Sequence, residues 1–353
     1  STGTTSCGGS GSISIGTGTA SEGDGGDITI KVGDGNTLDG GHISVFAGKT
    51  DADGDTGATG GSISIRSGFS TESSSGTIII RTLNAGAKGV SGELMFSTGI
   101  TTCGASGSIS IGTGTAAIGE GGDVFVSVGD SNHQPGGMMS LKAGTTSAGE
   151  NGGEILIESG KTNGASGTGG VMNLNAGQSQ NVVGGYFSVS AGQGGTIGGK
   201  IKLVAGTGDA NTGGMISLLS GVGTDTTSGQ IQIRSPDAGA KGVSGALVFS
   251  SGITTCGGSG SISIGTGTAC NGDGGDITIK VGDGNTLDGG HISVFAGKTD
   301  ADGDTGATGG SISIRSGFST ESSSGTIIIR TLNAGAKGVS GELMFSTGIT
   351  TCG

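Results

Sequence analysis

The residues of this chain best able to do chemistry are five cysteines and two short runs of aspartate. Cys7, Cys103, Cys256 and Cys352 share one register, in the turn that leads into the motif Ser-Gly-Ser-Ile-Ser-Ile. Cys270 is the odd fifth and stands where the other copy of its repeat has Ser21. No Cys-x-x-Cys pair or Cys/His spacing occurs, so a zinc or redox site is not indicated. The chemistry open to these thiols is interchain disulfide formation between laterally packed copies. The bland alternative is an idle thiol, since Ser and Ala fill the analogous turns. The aspartates read Asp51-Ala-Asp53-Gly-Asp55-Thr-Gly57 and recur as Asp300, Asp302 and Asp304. Carboxylates at alternate positions resemble the start of a calcium loop. The run departs from the EF-hand pattern, because position six is Thr56 and no Glu stands at position twelve. Calcium is therefore a candidate ligand for these six carboxylates, against the simpler reading of a solvated acidic turn.

Other polar groups form no constellation. His42 and its copy His291 fall at outward positions of an alternating run, and His133 falls in a turn, so no Ser/His/Asp grouping is suggested. Arg66, Arg81 and Arg234 share one outward position, five residues after a glycine, where solvation or lateral pairing with acids suffices. The Gly-Thr-Gly-Thr runs lack the Lys-Ser/Thr and the helix of a phosphate-binding loop. The chain is expected not to be an enzyme.

Composition sets the scale on which these groups must be positioned. Of 353 residues, 86 are Gly and only 31% are apolar, with no Trp, one Tyr and two Pro. That leaves too little aliphatic volume for one thick core. Glycine does not fall at every third position, which excludes collagen. A net charge of −12 without a basic patch argues against nucleic acid. Apolar runs of only a few residues argue against a membrane-spanning helix.

The positioning elements come from a repeat. A Gly-Gly or Ser-Gly pair followed by alternating apolar residues occurs 22 times, its second Gly running from Gly11 to Gly341. Steps are mostly 14–17 residues, with two of 20, from Gly41 to Gly61 and from Gly290 to Gly310. Alternation as in Asp27-Ile-Thr-Ile-Lys-Val32 is the period-2 signal of a half-buried strand. It would turn Ile28, Ile30 and Val32 inward. Residues 23–104 are identical to 272–353, and the cysteine register divides one continuous array into blocks 7–102, 103–255 and 256–351. These blocks hold 6, 10 and 6 strands, all even numbers. The expected fold is therefore all-β: a flattened parallel β-solenoid of about 30 residues and two strands per coil, with Ile28/Ile30/Val32 facing Ile43/Val45/Ala47. A 15-residue one-strand coil and a trimeric β-spiral satisfy the same counting. In the two-strand coil the register cysteines lie at least three coils, about 14 Å, apart, too far for disulfides within the chain. A disulfide between Cys256 and Cys270 would instead favour the 15-residue coil.

The stretches Ser10-Gly-Ser-Ile-Ser-Ile-Gly-Thr-Gly-Thr-Ala20, Gly25-Gly-Asp-Ile-Thr-Ile-Lys-Val-Gly-Asp-Gly35 and Asn84-Ala-Gly-Ala-Lys-Gly-Val-Ser-Gly92 are together similar to the Gly/Ser/Thr-rich repeat proteins of microalgae such as diatoms. The resemblance spans the chain and implies an extracellular or cell-surface setting; it brings no catalytic residues. Both ends fall at one phase of the repeat, as expected of an excerpt from a longer array. The functional expectation is a structural protein that builds a filament or cell-surface fibre by stacking and end-to-end association. An adhesive or ice-binding solenoid is the alternative, although the outward pairs vary (Ser12/Ser14, Asp27/Thr29, His42/Ser44) where ice binding wants a uniform Thr ladder.

Overall fold

The computed structural model of the chain describes residues 2–51, 58–147, 149–164, 166–286, 288–300 and 306–349. These divide into two units, Ser1–Asn175 and Ala176–Gly353. Both are built alike, from eight-residue segments without helix or strand alternating with polar loops. Each segment starts at the second Gly of a repeat, as in 26–33, 41–48, 61–68, 185–192 and 214–221.

What fixes this pattern is a neck at the base of each loop. In eleven loops the N–H of the Gly that opens a segment donates to the carbonyl of the Gly that closed the previous one. Gly61 donates to Gly48 at 2.8 Å, Gly153 to Gly144 at 2.9 Å and Gly185 to Gly177 at 2.8 Å. In three other loops the bond is replaced by a threonine: the Oγ1 of Thr17, Thr113 and Thr266 donates to the carbonyl of Gly26, Gly122 and Gly275 at 2.9–3.1 Å. The opening Gly is required sterically. A Cβ on Gly61 would lie 3.2 Å from the Gly48 nitrogen and 3.3 Å from the Ala47 Cβ. The segments keep their length while the loops do not. Seven positions separate the neck glycines Gly192 and Gly199, and thirteen separate Gly48 and Gly61. The 20-residue steps are thus absorbed in the loops, which leave and return at one point in the manner of Ω-loops.

The β-solenoid expectation is overturned. The described residues contain no helix and no strand. The two-strand coil, the one-strand coil and the β-spiral therefore all lack the paired strands from which they would be built. Among the described residues each neck holds the end of one segment beside the start of the next and no ladder extends from it; with 86 Gly to order and only 31% apolar residues, the single chain has little burial to offset the entropy of pairing. The expected core is absent with it. No described residue is buried, and Ile28, Ile30, Ile43 and Val45 are all exposed. Five described positions are half-buried: Ala143, Ala205, Ser235 and Val281 at the sixth position of their segments, and Gly223 in a loop. No helix among the described residues is long and apolar enough to cross a membrane.

Candidate functional site

The thiols sit at loop tips. Cys7, Cys103 and Cys256 each precede a glycine with positive φ (Gly8 at 92°, Gly104 at 104°, Gly257 at 107°), a backbone region a side chain adopts only with strain. A threonine two residues before the cysteine braces the tip: Thr5 Oγ1 donates to the Gly8 carbonyl, and Thr101 and Thr254 donate to Cys103 and Cys256, all at 3.0 Å. Cys270 lies on the loop after that of Cys256, two residues before Gly272 at φ 136°. All four thiols are free and exposed, so Cys256 and Cys270 are not joined. Cys352 lies outside the described residues. The four described thiols are expected to react with a disulfide reagent in buffer as completely as in denaturant; a thiol that reacts only after denaturation would place that loop in a different environment.

The carboxylates are placed only in part. Asp51 and Asp300 pair with Lys49 and Lys298, Nζ to carboxylate 3.0 Å in both copies. Asp53, Asp55, Asp302 and Asp304 lie outside the described residues. No group of three metal-ligating side chains occurs among the described residues. The leading carboxylate of each candidate calcium loop is thus engaged by a cation two residues before it. Both partners of each pair are largely exposed, and such pairs contribute little. Lys49→Ala with Lys298→Ala is expected to leave thermal unfolding unchanged within error; a drop of several degrees would show that these pairs do more than surface geometry implies.

His42 and His291 stand at the first position after their opening Gly, and Arg66, Arg81 and Arg234 at the fifth, all on described extended segments; His133 lies in a loop. None of these is drawn into a cluster with acids by the fold.

The segments themselves carry the most regular feature, and it is a surface. Counting from the opening Gly, the second residue is Ile, Leu, Val, Met or Phe in all 22 segments, and so is the fourth. The sixth is always Ala, Ser, Thr or Val and forms the neck. No charge occurs at these three positions in any segment, whereas the first, third and fifth carry Asp27, Lys31, Arg66, Lys142, Glu154, Lys202 and their like. Exposure alternates in step, with Ile78, Ile79 and Ile80 at 48%, 74% and 55%, so each segment has one uniform apolar face and one more open, variable face. The period-2 reading located the apolar positions; their uniformity at the second and fourth places emerges once the segments are aligned on their necks. Ile28, Ile30, Ile155, Ile157, Met172 and Leu174 all stand in this row with no apolar partner burying them. One shallow, open concavity lined by Ile157, Glu158, Ser159, Gly160, Lys161 and Met172 is part of the same neck geometry.

Comparison with family models, with characterised proteins and with solved structures finds no match to this chain.

Proposed function

We propose that this chain is a structural protein that assembles into an extracellular or cell-surface filament, and that its task is mechanical rather than catalytic. The observation that carries this reading is the row of large apolar residues repeated on 22 segments of constant length. Such a row has no use for a small substrate, which needs a concave and local site. It suits a partner that is equally long and equally repetitive. Variable loops of 15- and 20-residue steps are tolerated because the necks isolate them from segment length, a property useful in a scaffold whose loops decorate a constant framework. In such an assembly the exposed loop-tip thiols are placed for crosslinks between copies. Electron microscopy of the concentrated protein tests the reading. Filaments of uniform width are expected; discrete particles or amorphous aggregate would overturn it.

A further inference from the structure

We infer that the apolar row is a self-association surface, covered by the same row of a second copy of this chain. The inference deepens the filament reading and specifies the contact from which it would be built. Three observations lead to it.

The first is area. The chain exposes 35430 Å². Two compact units of half its mass would together expose about 15,000 Å². The excess, of order 20,000 Å², exceeds several-fold the roughly 2,000–5,000 Å² of a large obligate interface. A local ligand or a single docked domain cannot cover it; only a partner that follows the segments throughout can. Part of that excess is the exposed apolar row itself, and large apolar side chains left open on every segment are not a stable end state in water.

The second is chemistry. Apart from the turns and necks, the segments make no backbone hydrogen bonds among the described residues. Each segment thus presents an apolar row together with unpaired N–H and C=O groups along its edge, and both must be satisfied when the row is covered. A lipid or detergent would supply the first requirement but not the second. A polypeptide in extended conformation supplies both, at a matching rise per residue. The chain carries such a surface in duplicate, since residues 23–104 recur as 272–353.

The third is charge. At −12 the chain repels its own copies. Charges occupy the variable face and the loops but never the row. Contact through the row therefore leaves the repulsion at long range, where salt screens it. A basic partner would show the opposite dependence, because salt would weaken its attraction.

Sedimentation equilibrium of the full chain tests this with two variants of equal charge. One places four aspartates in the row (Ile30→Asp, Val45→Asp, Ile279→Asp, Val294→Asp). The other places four on the opposite face of the same segments (Thr29→Asp, Ser44→Asp, Thr278→Asp, Ser293→Asp). The wild-type mass is expected to be a multiple of 33.2 kDa and to rise with NaCl. The row variant should raise the dissociation constant at least 100-fold, since each contact would bury an unpaired carboxylate. The opposite-face variant should change it less than tenfold. A wild-type chain that stays monomeric at every concentration and salt overturns the inference, as does equal weakening by the two variants or dissociation on adding salt. Discrete oligomers without filaments would uphold the inference and overturn the filament reading. Filaments formed equally well by the row variant would do the reverse.

Discussion

Alanine at Gly208 or Gly223 is expected to open the loop that contains it, with the loss of amide protection at the neck that closes that loop. A Cβ on Gly208 would lie 2.6 Å from the Thr212 carbonyl oxygen and 2.7 Å from that of Asn211. On Gly223 it would lie 2.5 Å from the Thr227 oxygen and 2.8 Å from that of Thr226. These are backbone atoms of the returning arm of the loop, which cannot swing aside as a side chain would. To relieve the collision the loop must widen, and the bonds at risk are Gly214 N–H to Gly206 (2.9 Å) and Gly229 N–H to Gly221 (2.8 Å). A neck bond contributes about 1 kcal/mol net. Its loss corresponds to a roughly fivefold to tenfold faster exchange at Gly214 or Gly229, readable by hydrogen exchange. Gly112→Ala is the control. Its Cβ would meet nothing within 4 Å, its φ is not positive, and the change removes freedom from the unfolded chain. Unchanged exchange at Gly214 and Gly229 in the two variants would show that the necks do not depend on the loop path.

The second large effect concerns stability as a function of concentration. With no buried residue among those described, the single chain gains almost nothing from the apolar transfer that stabilises ordinary domains. Ordering 86 glycines is at the same time costly in conformational entropy. If copies cover the row, order in the segments draws on association, and association makes the unfolding midpoint depend on protein concentration. For a two-copy contact each tenfold dilution removes about 1.4 kcal/mol of apparent stability. The expected result is a denaturant midpoint that falls steadily on dilution from micromolar to nanomolar, with fluorescence-labelled loop cysteines as the probe. A midpoint that is constant over that range would mean that one chain is stable alone, against the energetic reading of the exposed row.

The positions of the segments were legible in the sequence, whereas the strand pairing and core expected of them are absent among the described residues. The alternation Ile28-Thr29-Ile30 locates the apolar positions, but the close approach at Gly26, where a Cβ would lie 3.0 Å from the Thr17 Cβ, is seen only in the structure. What alternation cannot say is which surface covers the apolar face. A row such as Ile28/Ile30 reads the same whether it meets Ile43/Val45 of its own chain or another copy. The solenoid expectation chose the first through strand counting. Even numbers of strands per block bear on coil size only when loops carry the chain from one facing sheet to the other. Here the loop from Gly48 returns to Gly48 by way of Gly61, so the count carries no information about stacking. The neck itself is written in the sixth position of each segment, always small or β-branched (Thr17, Val32, Ala47, Ser67), although its meaning is clear only when that residue is seen against the next Gly. The thiols were legible as turn residues, and Cys7, Cys103 and Cys256 are found at braced loop tips. Of the candidate calcium runs only the leading Asp51 and Asp300 lie among the described residues, and their pairing with Lys49 and Lys298 is not marked by the carboxylate spacing.

The six methionines provide the most direct test, because they divide between the two faces without any substitution. Met139 and Met172 stand in the apolar row; Met95, Met138, Met215 and Met344 stand on the variable face. In the single chain all six are open to solvent, with Met172 45% and Met139 49% exposed against 85% for Met138 and Met215. Those fractions alone allow about a twofold difference in the rate of oxidation to sulfoxide by dilute peroxide, a reaction that follows access. If copies cover the row, peptide mass spectrometry of the protein at micromolar concentration should show Met139 and Met172 protected tenfold or more relative to the other four, with the protection lost in denaturant. Oxidation of all six within a factor of two at every concentration would contradict the account.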